Sequence, residues 1–440
     1  MFLSRGGVGY FIVERLFFGQ IVFIQRVFKR RYSKQRVFEQ IDFNQVCLNH
    51  KAFIQREFNQ SALNQGRFRK GALRQNGFKK DSITKVFSTL AILFVAACSP
   101  QKQTTPYQWN IPTGFPEPTI PADNPMTKEK VALGERLFND VRLSFNQQQS
   151  CASCHIKAFA FAEPRKTSVG TTGEVLKRNS MALVNVAYNG SFTWAHNGLG
   201  TLENQILIPL FNEAPIEMGV TGNEADIISR LGDYRAEFKE VFGDEEIHFD
   251  HIVKALAAFV RSLTSFNSSF DRYAYFNEDE ALSESAIRGM DLFFSEKLEC
   301  FHCHGGFNFT QSSKHAMQKL DLISFHNTGL YNVDGKGSYA NDDQGLADIT
   351  FDPTHVGKFR APTLRNVMLS APYMHDGSMA TMSEVIDFYA AGGRGAGISN
   401  PLKSPFVQGF DITDEEKQDL LNFLESLTDY EFVGLQHQEP

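Results

Sequence analysis

The chain has 440 residues and a formal net charge of -6 at pH 7, enough length for two or three domains with a substantial buried core. The charge is unevenly spread: residues 1–80 hold 16 Lys and Arg against 4 Asp and Glu, and the remainder holds 28 against 46. A net of +12 (16 − 4) followed by a net of −18 (28 − 46) excludes one uniform globule and indicates segments of different origin or fate.

Residues 1–80 form a basic extension rich in Phe, Gln, Asn and Arg, with loosely recurring pieces such as FIQRVF and FIQREFNQ. The recurrences are too irregular to define a repeat period. One interpretation is a basic arm that binds nucleic acid or a membrane. We favour the other, a disordered extension or upstream sequence outside the mature protein, because the composition suits a packed core poorly. No nucleic-acid partner is therefore expected.

Residues 81–98 have the layout of a secretory signal, with lysines just before and within its start, a short apolar run, and small residues ending in VAAC. The run is too short for a confident membrane span. Its ending resembles a lipoprotein cleavage box, in which Cys98 becomes the acylated first residue; the alternative is a plain signal anchor with an incidental cysteine. Either reading predicts export to the periplasm or cell envelope, with membrane attachment only through a lipid anchor at Cys98. Residues 99–125 are interpreted as a linker.

Two motifs dominate the rest of the chain, CASCH at 151–155 and CFHCH at 300–304. C-x-x-C-H is the attachment sequence of c-type haem, since two thiols one helical turn apart can bond the vinyl groups while the histidine lies under the iron. Paired zinc motifs usually lie within about 20 residues of each other, far closer than these. A thioredoxin-like pair or two short disulfides would leave the repeated histidine unexplained. The predicted attachment residues are Cys151, Cys154 and proximal ligand His155, then Cys300, Cys303 and proximal ligand His304.

The surroundings of both motifs read as helix and loop. The stretch 127–140 places apolar residues at helical spacing, and 248–273 does so again with Asp250 available as a cap. A further helix is expected at 283–294, and 308–362 is interpreted as a long loop. The sequence therefore predicts a mainly α protein of two cytochrome c-like domains, 126–275 and 276–433, each with one covalently bound c-type haem and long loops between helices. The apolar positions of 248–273 are Ile252, Leu256, Phe259 and Leu263, and those of 127–140 include Leu133, Leu137 and Phe138.

Residues 126 to about 430 closely resemble the bacterial di-haem cytochrome c peroxidase and MauG superfamily. The resemblance is carried by LGERLFNDVRLS, CASCH, FTWAHNG, LENQILIPL, ALAAFVRSL, CFHCHGG, GKFRAPTLRNV, APYMHDGS and DFYAAGG. It implies that the first haem meets hydrogen peroxide and that the second exchanges electrons with a partner. It also implies a tryptophan between the haems and one structural calcium ion.

Individual roles follow from that resemblance. Trp194 matches the bridging tryptophan, the alternative being an ordinary buried indole. Gln205, Pro209 and Glu217 match the distal pocket of the peroxide site, although the segment from Pro209 to Glu217 is two residues longer than the peroxidase pattern. Glu217 would move a proton between the peroxide oxygens; a solvated surface glutamate is the alternative.

The remaining matched residues concern calcium and the second haem. Asn179, with Ser370 and Pro372 through their carbonyls, matches the calcium ligands, and such oxygen donors suit a hard cation. His375 is the histidine of the APYMHDGS string and belongs to the second haem site. Two arginines, Arg360 and Arg365, are candidates for pairing with haem propionates, because guanidinium suits carboxylate.

Tyr389 stands fourteen residues after His375, where the peroxidases have a methionine that ligates the second haem. A thioether favours ferrous iron, whereas an anionic phenolate favours higher oxidation states. The MauG and MbnH branch has this tyrosine, and in it peroxide drives both haems to high-valent iron that oxidises an aromatic residue on a partner protein. The alternative is that Tyr389 fills the core and another residue ligates the iron.

No histidine occurs between His155 and His196, so a distal histidine is missing and the first haem is expected to be five-coordinate and open. The leading hypothesis is a peroxide-dependent oxidase of the MauG and MbnH type, with a protein substrate docking near the second haem. The first alternative is a conventional cytochrome c peroxidase that removes peroxide with electrons from a small redox protein. The second is a non-catalytic di-haem electron carrier.

Overall fold

Thirteen α-helices and one two-stranded sheet form the regular structure of the computed structural model, which describes residues 104–315, 318, 325–340 and 343–435. The mainly α prediction is confirmed. The basic extension, the signal segment with Cys98 and residues 99–103 lie outside the described residues. The helices are α1 (Lys128–Asn139), α2 (Cys151–Cys154), α3 (Leu202–Phe211), α4 (Glu224–Arg230), α5 (Arg235–Phe242), α6 (Phe249–Ser262), α7 (Ser269–Phe276), α8 (Glu284–Phe293), α9 (Phe301–His304), α10 (Ala347–Thr350), α11 (Met382–Ala390), α12 (Asp414–Glu425) and α13 (Tyr430–Val433).

The two strands, β1 (Phe325–Asn327) and β2 (Lys358–Arg360), pair antiparallel with His326 opposite Phe359. They lie inside the stretch 308–362, whose described residues otherwise form loops, the short helix α10 and one 3₁₀ turn, in line with the loop-rich composition. Single turns of 3₁₀ helix occur at Val141–Leu143, Lys157–Phe159, Val186–Tyr188, Gly232–Tyr234, Asp279–Ala281, Pro353–His355, Val367–Leu369 and Gly395–Ser399.

Helix α1 packs closely against α6 in the first half of the described chain. Thr127 caps α1 by accepting a hydrogen bond from the Lys130 amide, and Leu133 and Leu137 are buried on the inner face. At Gly134 an added Cβ would lie 2.0 Å from the Ala255 carbonyl oxygen. Glycine is therefore required for the two backbones to approach this closely, and the crossing holds the chain that leads into the first C-x-x-C-H motif.

The second half repeats this arrangement with α8 and α12. Ser283 caps α8, and Gly289 faces α12 so closely that an added Cβ would lie 1.9 Å from the Asp419 carbonyl oxygen. In each half, then, a helix that precedes the C-x-x-C-H motif crosses a later helix at a glycine. The local pattern is the same around both motifs, as expected for two related haem-binding units.

Two large hydrophobic clusters form the interior. The first draws its buried residues from 133–263 and includes Leu137, Phe138 and Phe238. The second draws on 270–427 and includes Phe293 and Phe423. The clusters separate between residues 263 and 270, close to the predicted domain boundary at 275, although the exact boundary stays a prediction.

One helix start was predicted wrongly. Helix α6 begins at Phe249, so His248 occupies the N-cap position and Asp250 lies inside the first turn. There the Asp250 carboxylate pairs with Lys254 one turn later at 2.9 Å. The predicted helical stretch also ends at Ser262, and a separate helix, α7, begins at Ser269 after a Ser268 capping box.

None of the helices in the described part of the chain combines the length and the apolar character needed to cross a lipid bilayer.

Candidate functional site

Both C-x-x-C-H motifs are built on short helices: Cys151 and Cys154 lie on α2, whereas Cys300 is the N-cap of α9 and Cys303 lies within it. The four thiols of the motifs are free rather than disulfide-bonded. Burial raises the pKa of Cys151 and Cys300 to about 12, and that of Cys154 and Cys303 to about 11. The thiols are thus neutral and spaced by one turn, the arrangement needed for thioether bonds to haem.

The histidine of each motif is held in one orientation by a backbone carbonyl. His155 Nδ1 lies 2.8 Å from the Phe161 carbonyl oxygen, and His304 Nδ1 lies 3.1 Å from that of Pro362. Burial lowers the pKa of His155, and it lowers that of His304 to about 4. Each neutral imidazole can donate from Nδ1, which leaves the Nε2 lone pair available for iron.

Glu217 returns to the first attachment motif despite the longer segment before it. Residues 213 and 216 form a tight bridge, and the Met218 amide donates to the Pro209 carbonyl at 2.9 Å. The charge of Glu217 acts on both Cys151 and Cys154, which shows that its carboxyl lies close to that motif. The two extra residues are accommodated in the turn.

Two polar side chains predicted for this first site are buried with little or no hydrogen bonding to offset the loss of water. Burial raises the pKa of Glu217 to about 7. The side-chain oxygen Oε1 of Gln205, on α3, is buried without a hydrogen-bond partner. A carboxyl that is half protonated near neutral pH can move a proton on a small polar molecule.

The second attachment motif opens onto a large cavity with mostly apolar walls. Cys300, Cys303 and His304 line it together with Tyr389 from α11 and Trp194 from the first half of the chain. The apolar lining suits a macrocycle. The cavity therefore brings together residues that lie far apart in the sequence.

The buried charge of Arg360 indicates whether this cavity suits a haem. Its side chain is buried in the cavity wall, where Nε donates to the Thr193 carbonyl at 3.0 Å. No carboxylate pairs with it in the described part of the chain, and burial lowers its pKa to about 10. A buried guanidinium without a counter-charge fits a ligand that brings its own carboxylate, as a haem propionate does.

Arg365, the other arginine considered for a propionate, has a different partner. Its guanidinium makes two hydrogen bonds to the Asp271 carboxylate, at 2.8 and 2.9 Å, and both side chains are fully buried. It is committed to this internal ion pair, so the propionate role considered for it does not hold.

Tyr389 faces the same cavity from the last turn of α11. Burial raises its pKa, and the nearby Cys303 and Cys300 raise it further, which places the phenol beside the second attachment motif. Its hydroxyl has no hydrogen-bond partner in the described part of the chain. Met374 and Met382 also line this cavity, so thioether sulfurs are present alongside the phenol.

Trp194 and the three predicted calcium ligands all line this cavity. The Trp194 indole Nε1 donates to the Asn179 carbonyl at 2.8 Å, and the Asn179 amide donates to the His375 carbonyl at 2.7 Å. Ser370 and Pro372 line the cavity as well. Asn179 thus contacts Trp194 directly, Ser370 and Pro372 line the same cavity, and the role of the three in binding calcium stays a prediction.

His375 packs its ring on Phe359, with ring centroids 3.8 Å apart, and burial lowers its pKa to about 4. It lines the cavity as a neutral imidazole. His196, the only histidine considered as a distal ligand, turns back on its own loop, where Nδ1 accepts from the Gly198 amide at 3.0 Å.

Two aromatic residues of the cavity, Tyr339 and Phe359, were not predicted from the sequence. Both come from the stretch interpreted as a loop. The feature of the sequence that could have indicated their role is that large aromatic residues are unusual in a segment rich in Gly, Asp and Asn. Glu296, Glu299 and His302 were also missed; they are the one group of acidic and imidazole side chains in the described residues whose ligand atoms converge, within 4.8 Å.

The known proteins that this chain resembles are MauG proteins and cytochrome c peroxidases. The family model described as di-haem cytochrome c peroxidase matches residues 128–281. The crystal structure of a MauG-like protein associated with microbial copper homeostasis is 46% identical, with a TM-score of 0.72, and the match covers 74% of this chain and 97% of that one. The methylamine utilization protein MauG of Methylorubrum extorquens is 33% identical, covering 70% of this chain and 80% of its own. The cytochrome-c peroxidase IdrP1 of a Pseudomonas species is 32% identical, covering 81% and 94%.

Proposed function

The chain belongs to the di-haem cytochrome c peroxidase and MauG family, and from that premise we propose that it uses hydrogen peroxide to oxidise an aromatic side chain, such as tryptophan, on a partner protein. It is an oxidoreductase of the di-haem peroxidase type, in a family of periplasmic c-type cytochromes. The finer proposal goes beyond family membership, because the relatives include both MauG proteins and cytochrome c peroxidases.

The observation that carries the proposal is the phenol of Tyr389 in the second cavity. It lies near Cys300 and Cys303 and has no hydrogen-bond partner in the described part of the chain. When bound, the haems supply the redox chemistry that accepts electrons and passes them to peroxide. A phenolate ligand would favour oxidised iron over reduced iron, which suits storage of an oxidising equivalent better than uptake of electrons from ordinary carriers.

The residues of the first site support direct reaction with peroxide. Glu217, with a pKa of about 7, can take the proton from one peroxide oxygen and return it to the other, so that water leaves. Gln205 can orient the molecule through its unpaired side-chain oxygen and amide. No distal histidine precedes His196 in the sequence, so the protein would need no prior reduction to react.

Electrons from a substrate would enter at the second site, and Trp194 supports a path between the two halves. Its side chain comes from the first half of the chain, yet it lines the second cavity. The indole is fixed by its hydrogen bond to the Asn179 carbonyl. A partner therefore need not reach the first site, and the net charge of −18 after residue 80 favours a basic or weakly charged partner.

A conventional cytochrome c peroxidase is the second candidate. It is favoured by Met374 and Met382, whose thioethers line the same cavity and are the ligand type of that class. A relative named cytochrome-c peroxidase matches over most of its length. A non-catalytic carrier is less favoured, because the buried carboxyl of Glu217 would then have no use.

The test uses fully ferric holoprotein mixed with one equivalent of hydrogen peroxide and N-acetyl-tryptophanamide as the probe. We expect the haem spectrum to change at once, without prior reduction, and mass spectrometry to detect oxidised probe. Tyr389→Phe should lose probe oxidation, whereas Tyr373→Phe, which removes another phenol of the same cavity, should retain it. A conventional peroxidase would behave differently: the ferric protein would not react with peroxide. After reduction of one of its two haems, it would turn over peroxide rapidly with reduced cytochrome c. That pair of results would establish the second candidate instead.

A further inference from the structure

A tyrosine–aspartate pair lies next to the second cavity and has no role in the proposed site. The Tyr331 hydroxyl donates to Asp376 Oδ2 at 2.5 Å. Asp376 is 6% exposed, and its other oxygen accepts from the Ser378 amide at 3.1 Å. A buried carboxylate is thus held directly against a phenol by a hydrogen bond.

Tyr331 is linked to the cavity through a second tyrosine. The rings of Tyr331 and Tyr339 meet edge to face, with centroids 5.5 Å apart and an interplanar angle of 81°. Tyr339 is buried and lines the cavity, and it belongs to the same hydrophobic cluster as Tyr389. The phenols of Tyr389, Tyr339 and Tyr331 therefore belong to one cluster beside the second attachment motif, and within it Tyr331 contacts Tyr339 directly.

The partners of the last two phenols differ in one decisive respect. The Tyr339 hydroxyl donates to the Asn327 side-chain oxygen at 3.0 Å, and a neutral amide does not take up a proton. The Tyr331 hydroxyl donates to a carboxylate, which can. Of these three phenols, only that of Tyr331 donates to a base, so it is the one that can lose an electron and a proton together.

The surroundings of Tyr331 favour that coupled loss. The Arg394 guanidinium lies over its ring, 4.7 Å from the centroid. A cation in that position opposes a positively charged ring and so favours release of the proton. Tyr331 is half-buried, and the turn after it is exposed, with Val333 66% exposed. An oxidising equivalent on Tyr331 would be close to the protein surface.

We propose that Tyr331 is a redox-active tyrosine that carries an oxidising equivalent from the second haem site to the surface, with Asp376 as its proton acceptor. The inference rests on the proposed function, which supplies hydrogen peroxide as the oxidant. Tyr331 gives up one electron towards the second haem site; its O–H bond breaks, and the proton bonds to Asp376 Oδ2. The neutral phenoxyl then takes an electron from an aromatic side chain of the partner protein, and Asp376 returns the proton. Two such transfers complete one turnover: peroxide takes up the two electrons and two protons from solvent to form two waters, and the partner's aromatic side chain, having lost two electrons, releases two protons to solvent.

Tyr234 supplies a matched control. It also donates to a carboxylate, Asp140, at 2.8 Å, and arginines also lie over its ring, Arg136 at 4.5 Å and Arg142 at 5.4 Å. It belongs to the first hydrophobic cluster and does not line the second cavity. Tyr331→Phe and Tyr234→Phe thus each remove one carboxylate-bonded tyrosine, and only Tyr331 contacts a residue of the cavity lining.

The experiment compares wild type, Tyr331→Phe, Asp376→Asn and Tyr234→Phe as holoproteins. Each is mixed with one equivalent of hydrogen peroxide, frozen rapidly and measured by electron paramagnetic resonance, with ring-deuterated tyrosine to identify a tyrosyl signal by its narrowing. The haem absorption spectrum before mixing reports folding and haem loading. We expect the tyrosyl signal in wild type and Tyr234→Phe, its loss in Tyr331→Phe, and slower and weaker formation in Asp376→Asn.

The outcomes separate the two proposals. A tyrosyl signal of equal size in Tyr331→Phe, or its absence from wild type whose haem spectrum responds to peroxide, overturns the inference and leaves the proposed function standing. A wild-type haem spectrum that does not respond to peroxide overturns the proposed function and this inference with it. Should Tyr331→Phe fail to load haem, Asp376→Asn decides: unchanged formation of the radical there contradicts the assigned proton acceptor.

Discussion

Arg365 and Asp271 form a doubly hydrogen-bonded ion pair in which both side chains are fully buried. The pair joins α7 to the segment that follows β2, and the Arg365 guanidinium also donates to the Phe307 carbonyl, close after the second C-x-x-C-H motif. Phe266 and Phe309 pack on its two sides, with centroids 4.8 and 5.6 Å away. This cation therefore fixes three chain segments around the second attachment site.

Asp271→Asn should destabilise the holoprotein by about 3–5 kcal/mol, because it leaves the Arg365 charge buried without a counter-charge. The measurement is urea-induced unfolding followed by circular dichroism. Asp387→Asn is the control, since it removes the carboxylate of an exposed ion pair with Lys417 and should cost about 0–1 kcal/mol. Equal effects of the two substitutions would contradict the prediction.

Glu217→Gln should slow the reaction of the ferric protein with peroxide by about 100- to 10,000-fold, the range for loss of a general acid–base group. Burial raises the pKa of Glu217 to about 7, so the wild-type rate should rise with pH through about 7 as the carboxylate forms. Stopped-flow absorbance across pH 5 to 9 measures both effects. Glu213→Gln, at an exposed position in the same turn, should leave the rate and its pH profile unchanged.

The raised pKa of Glu217 also determines how the free energy of unfolding changes with pH. The ordinary value is 4.5, so the folded protein binds this proton more tightly than the unfolded chain does. Its contribution is fully present below about pH 4.5 and is lost as the pH rises to about 7. Wild type should therefore lose more stability across that window than Glu217→Gln, as measured by urea unfolding at each pH; an identical pH dependence would argue against a buried carboxyl.

Much of this arrangement follows from local sequence, and the exceptions have physical causes. The haem motifs, the helices around Leu133 and Phe259 and the mainly α fold depend on short-range spacing, which a single sequence displays. The start of α6 was misjudged because Asp250 suits both a cap and a first-turn ion pair. The pairing of Arg365 with Asp271 joins residues far apart in the chain, and no local pattern indicates which of two arginines stays free for a propionate.

Arg360→Met should lower the reduction potential of the second haem. A buried guanidinium without a carboxylate partner favours the less positive, reduced iron, and the substitution removes that charge while retaining an unbranched apolar side chain. Arg360→Lys keeps the charge and should leave the potential nearer to wild type. Spectroelectrochemical titration measures both, and an unchanged potential in Arg360→Met would mean that Arg360 does not face the haem.

Removal of calcium should alter the environment of Trp194. The predicted ligand Asn179 accepts the Trp194 hydrogen bond through its carbonyl, so loss of an ion at its side chain should loosen that contact. Treatment with excess EGTA should change the paramagnetic resonance spectrum of the ferric protein, and calcium should restore it while magnesium, which demands tighter octahedral geometry, should not. Asn179→Ala should no longer respond to EGTA. Purified protein without calcium by elemental analysis would rule the site out.

Replacement of Tyr389 distinguishes the phenol from the two methionines of the same cavity. If the phenol ligates the second haem, Tyr389→Phe should convert a low-spin ferric signal to high spin, and Tyr389→Met should raise the reduction potential, because a thioether favours ferrous iron. Tyr373→Phe is the control, since that phenol lines the cavity but donates to the Val367 carbonyl at 3.1 Å. Low-temperature electron paramagnetic resonance of the ferric proteins gives the first measurement. A low-spin signal that survives in Tyr389→Phe but disappears in Met374→Leu or Met382→Leu would assign the iron to a thioether, and the protein would then be expected to take electrons as a conventional peroxidase does.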